Sequence, residues 1–182
     1  CVATNCSGRH SSVGFVRMNH AIPVNLAVED PLSEAVLRKL LGEMGHYAVG
    51  TCYGHVGFGY LRKAIRGFNN GARGIPFVVL TDLDRAECPP ALVSEWLAPD
   101  QKHHNLLLRV AVREVEAWLL ADRVSLARFL GIKVDLLPEE VETLEDPKGH
   151  LISLARRSSR RALQRDIVPV DRSTSKQGRN YN

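Results

Sequence analysis

The stretch Ile75 to Asp84, IPFVVLTDLD, constrains this chain more than any other. Phe77, Val78, Val79 and Leu80 form an unbroken apolar run, with Gly74 and Pro76 before it and a polar, Pro-containing segment, Arg85 to Pro90, after it. A short run of this kind, rich in β-branched and aromatic residues and bounded by breakers, is the pattern of a strand buried on both faces in a parallel sheet. Asp82 and Asp84 close it two residues apart, so on an extended backbone both carboxylates point the same way. They fall at the carboxyl end of the strand, where open α/β sheets place their sites. A single Asp there commonly caps a turn or the next helix. Two on one face repel each other unless a cation lies between them, and a hard divalent ion held by oxygen atoms and water answers that repulsion.

Similar units flank this strand. Val24 to Val28, VNLAV, reads as a strand ending in Glu29 and Asp30; Pro31 then takes a first helical position, and Ser33 to Leu41 has helical apolar spacing. Glu34 stands four residues after Asp30, within one turn of it, although acids at a helix start also serve as caps against the macrodipole. Tyr47 to Cys52 is a weaker strand. Gly54, Gly57 and Gly59 lack the order of a dinucleotide fingerprint and read as a flexible loop. Gly59 to Phe68 is an amphipathic helix ended by Asn69-Asn70-Gly71. Ala91 to Leu97 is a short helix, and His103-His104 belongs to a solvated loop rather than a metal pair.

Asn105 to Val112 is a further strand, and it runs into Glu114 and Glu116. These acids lie in an apolar stretch whose only other charge is Arg113, and buried charge needs a partner: Arg113 or a metal. Trp118, Leu119 and Leu120 read as the inner face of the next helix, and Val124 to Leu130 as another helix, closed by Gly131. Asp146-Pro147-Lys148 reads as a turn, with Lys148 either a surface lysine or a group that neutralises a phosphate or a leaving oxygen. Leu151 to Arg165 is expected to be one basic helix, with Ile152, Ala155 and Leu163 inward and Arg156, Arg157, Arg160 and Arg161 outward.

These elements predict an α/β fold: a mainly parallel central sheet flanked by helices over residues 22–131, a flexible leader over 1–21, and a helical basic extension over 132–182 with an unfinished look. Met18 stands just before the first strand and marks an expected start of the folded part. The 182 residues suffice for one sizeable core. No apolar run approaches the length of a membrane span, and no secretory pattern opens the chain, so no membrane association and a cytoplasmic location are expected. The net charge of +4 and pI near 9.0 are compatible with a phosphate-rich partner. Four cysteines without a CxxC pair argue against a structural zinc site or disulfide framework.

A strand ending in Glu, a strand ending in DxD and a strand leading to ExE, in that order, resemble the TOPRIM fold of topoisomerases, primases and the overcoming-lysogenization-defect (OLD) nucleases. LAVEDPLSEAVLRKLL, VVLTDLD, VREVEAWLLAD and the later DPK look like an OLD-type branch associated with bacterial anti-phage systems, often beside an ABC-type ATPase. By this resemblance Glu29 matches the TOPRIM glutamate, Asp82 and Asp84 the DxD, Glu34 the second acid of the first motif, Glu116 or Glu114 the later acid, and Lys148 the lysine that follows. The family places Gly directly after its glutamate. Asp30 stands there in this chain, so either Glu29 or Asp30 is the expected ligand.

The resemblance implies hydrolysis of phosphodiesters in nucleic acid, DNA before RNA, through two Mg²⁺ or Mn²⁺ ions, with Glu29 and Lys148 catalytic. Glu29, Asp82 and Asp84 are expected at one ion, and Glu34 with Glu114 or Glu116 at the second. The arginine-rich helix is expected on backbone phosphates. Two other readings compete: a non-catalytic adaptor or sensor for an ATPase partner, and a haloacid-dehalogenase-type phosphatase. The phosphatase family expects Thr or Val where this chain has Ala86. A homo-oligomer is compatible with each.

Overall fold

The computed structural model describes residues 21–84, 86–98 and 101–169. Strand β1 (Ile22–Val28), helix α1 (Pro31–Met44), β2 (Tyr47–Gly54), α2 (Phe58–Gly71), β3 (Phe77–Asp82), α3 (Pro89–Trp96) and β4 (Leu106–Ala111) alternate along the chain. Four helices follow: α4 (Glu116–Ala121), α5 (Arg123–Leu130), α6 (Pro147–Arg156) and α7 (Arg161–Ile167), with short 3₁₀ turns at Val134–Leu136 and Val141–Thr143. The strands form one sheet in the order β2-β1-β3-β4, and every pairing is parallel. This is a Rossmann-like α/β architecture, as the alternation of apolar runs and helical spacings predicts.

Helices cover both faces, and the strands are apolar on both in consequence. Val24, Leu26 and Val28 of β1 and Leu80 of β3 pack against Leu37 and Leu41 of α1. Ala27 of β1 and Phe77 and Val79 of β3 face the other way, onto Leu61, Ile65 and Phe68 of α2. A third apolar cluster joins Leu120 of α4, Leu130 of α5 and Leu151 and Leu154 of α6, and so runs across position 131.

The chain leaves β1 for β2 on one side and returns to pair β3 on the other side of β1. The carboxyl ends of β1 and β3 therefore flank the switch point of the sheet, where a crevice opens between oppositely directed connections. Glu29 and Asp82 sit there.

The basic segment is not one helix. Helix α6 stops at Arg156 and α7 starts at Arg161. Ser158, buried between them, donates its hydroxyl to the Leu130 carbonyl and accepts the Arg160 N–H, while Gln164 caps the Arg156 and Ser158 carbonyls at 2.7 and 2.8 Å. Serine side chains that bond the backbone offer it an alternative to the helical ladder, and here they end it. Trp118 also departs from expectation. It is 38% exposed and, with Leu40 and Phe129, borders an apolar groove between α1 and α5. The paired rings of His103 and His104 lie with centroids 4.2 Å apart.

Gly54 carries φ of +122° beside β1, and a Cβ there would meet the Val28 carbonyl oxygen at 1.9 Å. Gly54→Ala is expected to destabilise the fold by about 3 kcal/mol, the upper end of the cost of a strained backbone position. A shift of the urea midpoint measures it.

Candidate functional site

Three acids converge at the switch point. Glu29 follows β1, Asp82 ends β3, and Glu116 opens α4. Each is held by a group from another part of the chain. One carboxylate oxygen of Glu29 accepts the Thr81 hydroxyl and, at 3.0 Å, the Asp82 N–H, so the first acid is tied to the strand that carries the second. Asp82, only 7% exposed, accepts the Val115 N–H at 2.9 Å, which ties β3 to the start of α4. Glu116 is fully buried and lies 3.4 Å from Lys148 Nζ. Glu114, half-buried beside it, accepts the Lys148 N–H at 2.9 Å.

The electrostatics follow from that crowding. Burial, then the Glu29 and Glu116 carboxylates, push Asp82 up to about 8. Burial raises Glu29 as well, against the hydrogen bonds from Thr81 and Asp82 that favour its charged form. Glu114 is raised by burial and by Glu116. Burial opposes the charge on Lys148, but Glu116, Glu114 and Asp30 outweigh it and hold the ammonium above its ordinary range. One lysine thus faces a group of carboxylates whose burial and mutual repulsion favour the protonated form.

Asp84 is not beside Asp82 in the way an extended strand would place it. β3 ends at Asp82, Leu83 turns into the core, and Asp84 takes a left-handed φ of +48° on the surface. Arg113, at φ +63°, mirrors it after β4. The Asp84 N–H donates to the Arg113 carbonyl at 2.9 Å, and the Arg113 guanidinium donates to the Asp84 carbonyl at 3.2 Å. Arg113 therefore clasps a neighbouring loop, and the cation beside Glu116 is Lys148. Asp84, Arg113, Glu114, Glu145 and Asp146 line a cleft of about 590 Å³ next to the buried acids.

The other expected ligands divide. Asp30 is the N-cap of α1, accepting the Ser33 N–H at 2.8 Å. Glu34 turns away from the cluster: it pairs with Arg38 at 2.6 Å and with His55 Nε2 at 2.7 Å, near Cys52. Lys148 lies in the first turn of α6, behind the Asp146 cap and Pro147, rather than in a turn. Arg156, Arg157, Arg160 and Arg161 are all exposed; Arg156 ends α6, eight residues and about 12 Å along the axis from Lys148, and the other three lie beyond it. Thr81, Cys52 and His55 were not among the expected site residues. Thr81 was legible as the one polar residue inside an apolar strand.

Among the described residues, only Glu34, Cys52 and His55 bring three ligand atoms within 4.8 Å of one another. Glu29, Asp82 and Glu116 form a looser bay. Residues that could hold a cation there are carboxylates alone, with oxygen as the donor atom.

Fold and site together define a Rossmann-like α/β protein with a cluster of buried acids at the carboxyl edge of its sheet. The chain belongs to the family described as "Domain of unknown function (DUF4276)", whose model matches residues 29–177. Neither the curated proteins nor the solved structures contain a match to it.

The raised Asp82 carboxyl has a consequence for stability. The folded state binds that proton more tightly than the unfolded chain, so the group favours folding at low pH and loses that contribution as pH rises from 3.8 to about 8. In chelator, stability is expected to fall across that interval, and Asp82→Asn is expected to flatten the fall. Urea midpoints from pH 4 to 8 measure it, and identical profiles for the two proteins would remove Asp82 as the source.

Proposed function

We propose that this protein is a metal-dependent nuclease, hydrolysing phosphodiester bonds at the Glu29–Asp82–Glu116 centre. The convergence of three carboxylates on a switch-point crevice, with Asp82 buried among like charges, carries the reading. An arrangement that repels itself is relieved by a divalent cation, and the all-oxygen donor set fits Mg²⁺ or Mn²⁺. When bound, such an ion supplies Lewis acidity and an activated water. Thr81 and the Asp82 N–H hold Glu29 in place, and the Val115 N–H does the same for Asp82. Lys148 orients Glu116 and presents positive charge toward a phosphate or leaving oxygen. The acid-lined cleft beside Asp84 repels a bare phosphate, which makes binding of substrate depend on cations as well.

The resemblance of the first, DxD and ExE motifs to TOPRIM-like OLD nucleases supports the same chemistry, with a cytoplasmic anti-phage role, nucleic acid as substrate and an ABC-type ATPase as partner. No helix among the described residues is long and apolar enough to cross a membrane. One observation favours the adaptor reading instead: the three carboxylates do not close into a tight ligand sphere, and Lys148 already faces Glu116.

Supercoiled plasmid at low salt, with Mg²⁺, Mn²⁺ or chelator, separates the two. Metal-dependent nicking that disappears in Asp82→Ala is the expected result; ATPase-partner binding unaffected by Asp82→Ala, with no cleavage by either protein, would favour the adaptor. If the exposed arginines track backbone phosphates, Arg160→Ala with Arg161→Ala is expected to reduce the slope of log affinity against log salt by about 2, whatever the sequence of the nucleic acid.

A further inference from the structure

We propose that Glu34, Cys52 and His55 form a second metal site, separate from the acidic centre and selective for Zn²⁺. Glu34 stands in the first turn of α1, Cys52 two residues before the end of β2 and His55 just beyond it, so the three gather where the edge strand meets the first helix. Their ligand atoms lie within 4.8 Å of one another. Tetrahedral zinc ligands stand about 3.3–3.8 Å apart, a spacing that small side-chain rotations reach from here.

Several features point to a ligand set rather than to a chance ion pair. His55 holds φ of +62°, a backbone conformation that costs a non-glycine residue energy, and it is this conformation that places the ring beside Glu34. The loop that carries it is anchored to β1, with the His55 N–H on the Val28 carbonyl and the Gly57 N–H on the Glu29 carbonyl, both at 3.1 Å. Arg38 holds one oxygen of Glu34 at 2.6 Å while the other faces His55 Nε2 at 2.7 Å. That leaves a fixed carboxylate with an outer partner, the arrangement that orients metal ligands. A thiolate, an imidazole and one carboxylate suit zinc, whereas the neighbouring all-oxygen centre suits magnesium or manganese.

The thiol is not a nucleophile in its own right. Burial and the Glu34 carboxylate push Cys52 up to about 11, so at neutral pH it is protonated and unreactive. On binding, hydrated Zn²⁺ would lose waters, bonds would form to Cys52 Sγ, a ring nitrogen of His55 and a Glu34 oxygen, and the thiol proton would pass to solvent. Charge then balances, with one water completing four-fold coordination. The ion would staple the edge strand β2 to α1.

Cobalt(II) serves as the optical stand-in. In the full chain with Cys1, Cys6 and Cys88 replaced by serine, Co²⁺ is expected to give a sulfur-to-cobalt charge-transfer band at one equivalent, which Zn²⁺ displaces. The band is expected to vanish in Cys52→Ser, to vanish or weaken at least about 10-fold in apparent affinity in His55→Ala, and to weaken about 10-fold in Arg38→Ala. It is expected to persist in Asp82→Asn, which leaves this trio intact. Absence of the band, or its survival in Cys52→Ser, would overturn the site. Circular dichroism checks that each variant folds. Should Cys52→Ser fail to fold, the exposed His55→Ala decides: an unchanged band refutes zinc ligation by this trio.

Discussion

Repulsion between buried carboxylates is the constraint around which the carboxyl edge of this sheet is built. Glu29, Asp82 and Glu116 come from three different elements; main-chain or hydroxyl donors pin the first two, Glu29 from β3 and Asp82 from the approach to α4, and Lys148 faces the third. The hydrogen bonds that hold the acids in place are thus the same ones that close the open ends of the strands. Loosening the charge cluster would loosen the joint between β1, β3 and α4, and the single lysine opposite is too little to neutralise it. The protein keeps an electrostatic liability at the switch point of its sheet.

Much of the fold was legible because the sheet is buried on both faces. VNLAV, FVVL and NLLLRVAV are apolar at consecutive positions, which a parallel sheet between two helical layers requires and an exposed strand does not tolerate. The glycine and proline residues between them marked the turns. The break after Arg156 was not legible by apolar spacing, because Ser158 and Ser159 interrupt the helix through hydrogen bonds to Leu130 and Gly131, some 28 residues earlier in the chain.

The site was legible in part. Glu29, Asp82 and Glu116 were readable as acids at strand ends, and the structure does bring them together. The alternation of an extended strand applies only as far as the strand runs, and β3 stops at Asp82, so Asp84 leaves the DxD register while its charge still bears on Glu29. Glu34 was drawn to the wrong neighbours for a similar reason. Helical spacing places it one turn from Asp30, but Arg38 one turn on and His55 just beyond β2 claim its two oxygens. Lys148 reads from its sequence as a surface lysine or a group for a phosphate or leaving oxygen; its partners in the fold are Glu116 and Glu114, more than thirty positions away in sequence, which no local pattern encodes.

Helix α4 is only six residues long and serves two masters. Glu116 points into the acidic centre, while Trp118, about 200° round the helix axis, borders the apolar groove against α1 and α5. A segment so short has no middle turn in which to absorb a twist, so it behaves as a rigid key with teeth on both edges. Rotating it to improve the fit on one side would misalign the other, and the packing of an aromatic ring at the surface and the aim of a carboxylate in the interior are mechanically one variable.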